Sequence, residues 1–375
     1  MTESGTTRNV TALRRACRQL FNEAYAGSAP PAPELDLEEL TGPEVFHWIR
    51  HHRLQALFAS CLPALHARVQ GQMVYTARLT MVAEHLASHF EAAIGPSCYL
   101  VKGPALAAQA WPHAGWRSFD DLDFRCARTD LTAMHAGLIE AGFRPLIESA
   151  ILRRHYWQFG WGLTYRHVEG YWAEINHRLF VPHFPCPREL DRSGSAFEQL
   201  VSVRLDSASV RAPHPAFHLI ICSLHAVWHG GERLAWFLDI AGLLRRHPAC
   251  WATAWEWPGA DDFTRRCLLI GRTVAQRWFD SVTEEPEQAI GALRPVVDRI
   301  DESLVHQERL SAAQLHTLHL ALLSRPSRII VSLRRLMTPG DGDFRAITFS
   351  DRWRWLYWLL RPLRLLIRFG RGAAR

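Results

Sequence analysis

The chain is 375 residues long and 48% apolar, enough for a sizeable packed core and, as a soft prior, two domains; this is not the composition of a disordered protein. A formal charge of +6, with arginine far outnumbering lysine, points to anionic partners. Nucleotides, nucleic acid and membrane surfaces all qualify, so charge alone does not choose among them.

Eight cysteines are spread singly, none at the C-x-x-C spacing of a zinc or redox site, which fits a reducing compartment. The first thirty residues lack the apolar stretch of a signal peptide. No apolar run approaches the roughly 20 residues that span a bilayer. The expectation is a cytoplasmic protein.

The first ninety-odd residues read as helical. Val10 to Ala26 forms a first helix closed by Gly27, and the Pro-rich stretch from Ser28 to Pro33 breaks the chain. A second helix is expected from Pro43 through Phe46, Ile49, Leu54 and Phe58, and a third from Val74 to Ile94. At Ser97 the texture changes. Tyr99 to Val101 is a short apolar run leading to Lys102-Gly103-Pro104, the pattern of a strand feeding a helix over Ala105 to Trp111. Phe119 to Cys126 then alternates: Asp121, Asp123 and Arg125 share one parity, Leu122, Phe124 and Cys126 the other, as in a half-buried strand. Thr129 or Asp130 caps a helix that Gly142 stops. Residues 144 to 180 read as further strands, ending in Tyr171 to His177. From Pro215 onward the pattern is helical. The chain thus divides into a helical region 1–95, a small α/β core 96–185 and a helical C-terminal domain 186–375.

Carboxylates at i and i+2 on a strand point to the same side, so Asp121 and Asp123 can share a hard cation such as Mg²⁺. An Asp-x-Asp pair alone is more often a solvated strand end. The strand–glycine–helix unit before it raises its weight, as does Glu174, a third carboxylate on a strand-like stretch downstream. The Lys102-Gly103 turn opens a helix N-terminus suited to phosphate, with Lys102 adding a point charge.

Leu100-Val101-Lys102-Gly103-Pro104-Ala105-Leu106 followed by Arg117-Ser118-Phe119-Asp120-Asp121-Leu122-Asp123 resembles the signature of the uncharacterised nucleotidyltransferase family, a branch of the polymerase-beta-like nucleotidyltransferase superfamily. Glu174-Ile175-Asn176-His177-Arg178-Leu179 is similar to its Glu-x-His-Trp-x-Leu element. His225, His229, Leu234, Trp236 and Asp239 resemble its helical His…His…Leu-x-Trp-x-x-Asp segment. Tyr357 with Arg361 to Leu365 is similar to its tail, and His51 to Leu54 matches an N-terminal element. Asn176 departs from the pattern by standing where the family carries His.

The resemblance implies an α+β fold with a small nucleotidyltransferase-type α/β core and mixed sheet between helical flanks. It also implies Mg²⁺, an NTP donor, and transfer of a nucleoside monophosphate to an acceptor; which small molecule, peptide or protein that is does not follow from the resemblance. Asp121, Asp123 and Glu174 are then the catalytic and metal-holding residues, and Lys102, Gly103 and Arg117 hold the nucleotide. Asn176, His177, His225, His229 and Asp239 are candidates for lining the cleft or standing behind it; Asp239 has the alternatives of orienting a histidine or pairing with Arg245. The His225/His229 spacing is that of a zinc protease, but Ala226 stands where such an enzyme needs glutamate. Phosphoryl transfer uses the same clamp. A second reading is a non-catalytic protein that keeps the fold. A third uses the arginine-rich stretch 351–375 on nucleic acid or a membrane surface, against which stands ordinary packing of its aromatic face.

Overall fold

The computed structural model describes residues 3–26, 43–192, 199–280 and 290–372. The break expected at 28–33, with Gly27, lies outside them. Among the described residues, four helices open the chain: α1 (Glu3–Ala26), α2 (Pro43–His51), α3 (Gln55–Cys61) and α4 (His66–Ile94). The single helix expected across 43–58 is two, because Arg53 takes a left-handed φ of 57°. Tertiary bonds hold the break. The buried His52 ring accepts from the Leu234 N–H at 3.1 Å through Nδ1, which leaves Nε2 to donate to the Leu304 carbonyl at 2.9 Å.

The α+β core follows as β1 (Cys98–Leu100), α5 (Gly103–Ala110), β2 (Asp121–Cys126), α6 (Leu131–Glu140), β3 (Phe143–Pro145), α7 (Ala150–Phe159), β4 (Gly162–His167) and β5 (Trp172–Asn176). The strands form one mixed sheet in the order β1-β2-β5-β4-β3, in which β2 and β5 are the parallel pair. Within the stretch read as strands, α7 is a helix; its aromatic residues suit either state, but the Ser149 hydroxyl caps it by accepting from the Leu152 N–H. Asp130 precedes α6, yet its carboxylate accepts from the Ser97 hydroxyl at 2.5 Å instead of capping.

One sheet face is apolar. Leu122, Phe124, Ala173 and Ile175 pack with Leu86 and Phe90 of α4 and Met134 of α6. The hairpin β6 (Leu200–Arg204) and β7 (Ser209–Pro213), which the sequence reading does not contain, joins the same cluster through Val203 and Val210. Glu84 of α4 clamps its turn by accepting from the Ser207 and Ala208 N–H groups at 2.7 and 2.8 Å.

The remaining helices are α8 (Arg188–Arg192), α9 (Pro215–Trp228), α10 (Leu234–Arg246), α11 (Cys250–Trp255), α12 (Asp262–Phe279), α13 (Arg294–His306), α14 (Ala312–Ala321), α15 (Arg325–Met337), α16 (Asp341–Ala346) and α17 (Tyr357–Gly372). A large apolar cluster joins α1 through Leu20 and Phe21 to α9, α10 and α12, and reaches Val101 and Leu106 beside β1 and α5. The helical part therefore roofs the second sheet face. Gly242 permits close approach of α10 to α5, since a Cβ there would stand 2.2 Å from the Ala110 carbonyl oxygen. Among the described residues no helix is long and apolar enough to cross a membrane.

Candidate active site

The polar parity of β2 is not solvated; it faces a cleft between the sheet and α9. Asp123 is only 8% exposed and lies across from Glu174 in the β2–β5 register, while Asp121 pairs with Trp172 two positions back. Asp121, Asp123 and Glu174 all line one cavity of about 290 Å³. Its other walls are largely aromatic and apolar, from Trp161, Phe180, Ile221 and Trp228, with Arg125, Asn176 and Arg178 as polar members. A second lobe of about 320 Å³ shares Lys102, Asp121, Asp123, His225 and His229 with the first. This lobe is rich in arginine: Arg53, Arg117, Arg233 and Arg309 surround it, with Glu232 3.7 Å from Arg309, and Gly103 lies on its wall.

Burial and mutual repulsion shape the acids. Glu174 is pushed up to about 7 by desolvation first and then by Asp123 and Asp121, despite the nearby Lys102 and a hydrogen bond from Thr164 Oγ1 at 3.1 Å. The same order of causes, burial and then Asp123, raises Asp121. Lys102 Nζ sits 3.2 Å from Asp123 Oδ2. Burial works against its charge, but Asp123, Asp121 and Glu174 outweigh that and hold it above the ordinary lysine range. Gly103, at φ 58°, lets the chain turn from β1 into α5 there, a conformation that side chains other than glycine adopt only at a cost.

The basic lobe has its own tension. Burial, then the neighbouring Arg233, press Arg53 below its usual value, although its guanidinium bonds Asp120. Such crowded cations invite a polyanion. Arg117 is held from behind by Asp239 in a bidentate pair, Nε to Oδ1 at 2.7 Å and the terminal nitrogen to Oδ2 at 2.9 Å. Trp111 Nε1 donates to the same carboxylate at 2.7 Å. Asp239 thus sits behind the cleft with an arginine and a tryptophan as partners, in place of a histidine or Arg245.

His225 and His229 line both lobes and meet edge to face at 4.6 Å between ring centroids, with Trp236 4.8 Å from His225. Desolvation, then the Lys102 charge, pushes His229 down to about 4, so its ring is neutral near pH 7. His225 is lowered for the same leading reasons. Asn176 reaches the aromatic lobe, where its Oδ1 is buried without a hydrogen-bond partner. His177 is buried but belongs to neither lobe. The sequence places Arg53 and Arg233 in family-like segments without assigning them to the site, and it leaves out Arg309, Trp161, Trp228 and also His218, whose ring ties α9 to the Val101 carbonyl just before Lys102. One signal was available: Lys102 is the only lysine in the sequence.

Among the described residues no three His, Cys, Asp or Glu side chains are already drawn together as a metal cage. The chemistry of the donors nevertheless fits a hard divalent cation: three carboxylates face one cavity, and repulsion among them raises two of the three. Residues 39–280 match the family model described as an uncharacterised nucleotidyltransferase. The chain belongs to that family. Comparison with curated proteins gave no match. For this nucleotidyltransferase-family member, the matched span contains every element that lines the two lobes except the position of Arg309.

Proposed function

We propose that the protein transfers a nucleoside monophosphate from an NTP to a hydroxyl-bearing acceptor in a Mg²⁺-dependent reaction. The observation that carries this is the acidic trio at the boundary between an arginine-rich lobe and an aromatic one. Asp121, Asp123 and Glu174 would hold the metal. When bound, it supplies Lewis-acid charge at the reacting phosphate oxygens. Lys102, Arg53 and Arg117 orient the triphosphate in the basic lobe, with Asp239 fixing the Arg117 fork. The aromatic lobe is at the small end of ligand pockets and suits a ring-sized group. The acceptor oxygen forms a bond to the α-phosphorus, the bond to the bridging oxygen breaks, pyrophosphate leaves, and Glu174 receives the acceptor's proton.

Purified protein incubated with Mg²⁺ and NTPs labelled at the α- or the γ-phosphate tests the reading. Label from the α position is expected in product, with pyrophosphate released. Label from the γ position alone would make it a phosphoryl transferase. If no NTP binds or turns over, and Asp121→Asn with Asp123→Asn behaves like the unaltered protein, the proposal fails.

A further inference from the structure

The C-terminal helices carry a second surface that the cleft does not use. Most large apolar side chains left exposed among the described residues fall between Ile329 and Ile367. On α15, Ile329, Leu333 and Leu336 recur at helical spacing on one face, and Ile329 is 64% exposed. Helix α17 packs beside α15 and adds Leu359, Leu363 and Ile367, with Leu359 61% exposed. Trp353, Trp355 and Trp358 stand half out of the same region. Packing of the aromatic face is only partial: Tyr357 is buried with Phe159 and Phe344, Phe349 and Leu360 pack against them, and Trp353, Trp355 and Trp358 stay exposed. Contiguous exposed apolar surface of this kind marks an interaction site.

Charge decides the partner. Residues 325–372 hold eleven arginines against three aspartates, with no lysine or glutamate. The acids are largely answered within the fold: Asp343 is buried against Arg361 at 3.2 Å and against Arg364, and Asp351 pairs with Arg154 at 2.8 Å. Arg325, Arg328, Arg334, Arg352 and Arg354 are exposed beside the apolar residues. Where α15 and α17 lean on the core, a cleft of about 370 Å³ adds Arg128 and Arg188 to Arg334 and Trp358. Aliphatic faces two helices wide, with arginine and tryptophan among them, match an acyl–headgroup interface better than a nucleic-acid groove, whose contacts are chiefly polar and to phosphate.

We propose that this basic, tryptophan-rich face docks the protein on an anionic phospholipid surface, with arginines on headgroup phosphates and the apolar residues at the acyl boundary. Sedimentation of the full chain with vesicles tests it, comparing phosphatidylcholine alone with phosphatidylcholine containing phosphatidylglycerol. Binding is expected to the anionic vesicles only and to weaken with salt. Leu333→Asp with Leu363→Asp should lower the bound fraction at least tenfold, and Arg352→Gln with Arg354→Gln should weaken it without abolishing it. Circular dichroism checks that both variants fold. Protein that stays in the supernatant with anionic vesicles at low salt overturns the proposal. So does a dimer in solution that the aspartate variants dissociate, or RNA binding that they leave unchanged while vesicle binding is absent.

Discussion

Glu174 gives up its proton reluctantly in the folded protein, near pH 7, because it is buried and faces Asp123 and Asp121. An unfolded glutamate titrates near about 4.3. The folded carboxyl therefore binds its proton more tightly than the unfolded one. That preference stabilises the fold fully below about pH 4.3 and is lost as pH rises through about 7. In EDTA, the melting temperature of the unaltered protein is expected to fall between pH 5.5 and 8. Glu174→Gln should flatten that part of the profile and melt about 2 to 5 °C higher at pH 8, read by differential scanning fluorimetry. An unchanged profile would show that Glu174 does not feel the two aspartates. The same trio was legible beforehand, because strand parity fixes the direction of Asp121 and Asp123 and the motif supplies Glu174. Asn176 was legible as a departure, but its consequence, a buried oxygen without a partner in the aromatic lobe, was not. Lys102 carried a stronger signal than its motif: in a chain that otherwise uses arginine for every fixed cation, one lysine remains, and it touches Asp123.

At the scale of elements, the cleft depends on how closely helices and strands approach. Asp239 on α10 binds Arg117 and Trp111 at once and is 1% exposed. Asp239→Ala leaves a buried guanidinium without its carboxylate and should cost about 3 kcal/mol in urea unfolding. A loss below about 1 kcal/mol would mean that Arg117 finds another partner. Between strands the limiting contact is Gly162, where a Cβ would stand 1.9 Å from Asn176 Oδ1 and 2.3 Å from the Ile175 carbonyl oxygen. Gly162→Ala should push β4 from β5, destabilise by about 1 to 3 kcal/mol, and disturb the Thr164–Glu174 bond; a melt equal to that of the unaltered protein would refute this. Periodicity located β1, β2, β5 and the long helices well. It failed at Arg53 and over 150–159, where tertiary bonds to His52 and a serine cap decide the local state. Trp161, the pair Trp228 and Arg233, and Arg309 come from three separated stretches, and no local pattern announces that they meet.

Across the whole molecule the basic charge is unevenly shared. Part of it converges on the cleft through Arg53, Arg117 and Arg233, and part gathers at the far end of the chain in 325–372, where the exposed tryptophans lie. Sequence charge alone merged these two populations into a single figure, and only their positions separate them. The parallel pairing of β2 with β5 has a consequence for how the protein comes to be. Strands that run the same way cannot be joined by a tight turn, so α6, β3, α7 and β4 lie between Asp123 and Glu174 in the chain, and their meeting is a long-range contact of the kind that slows folding. The acidic trio is thus a keystone, spanning two stretches of chain that only the folded arch brings together.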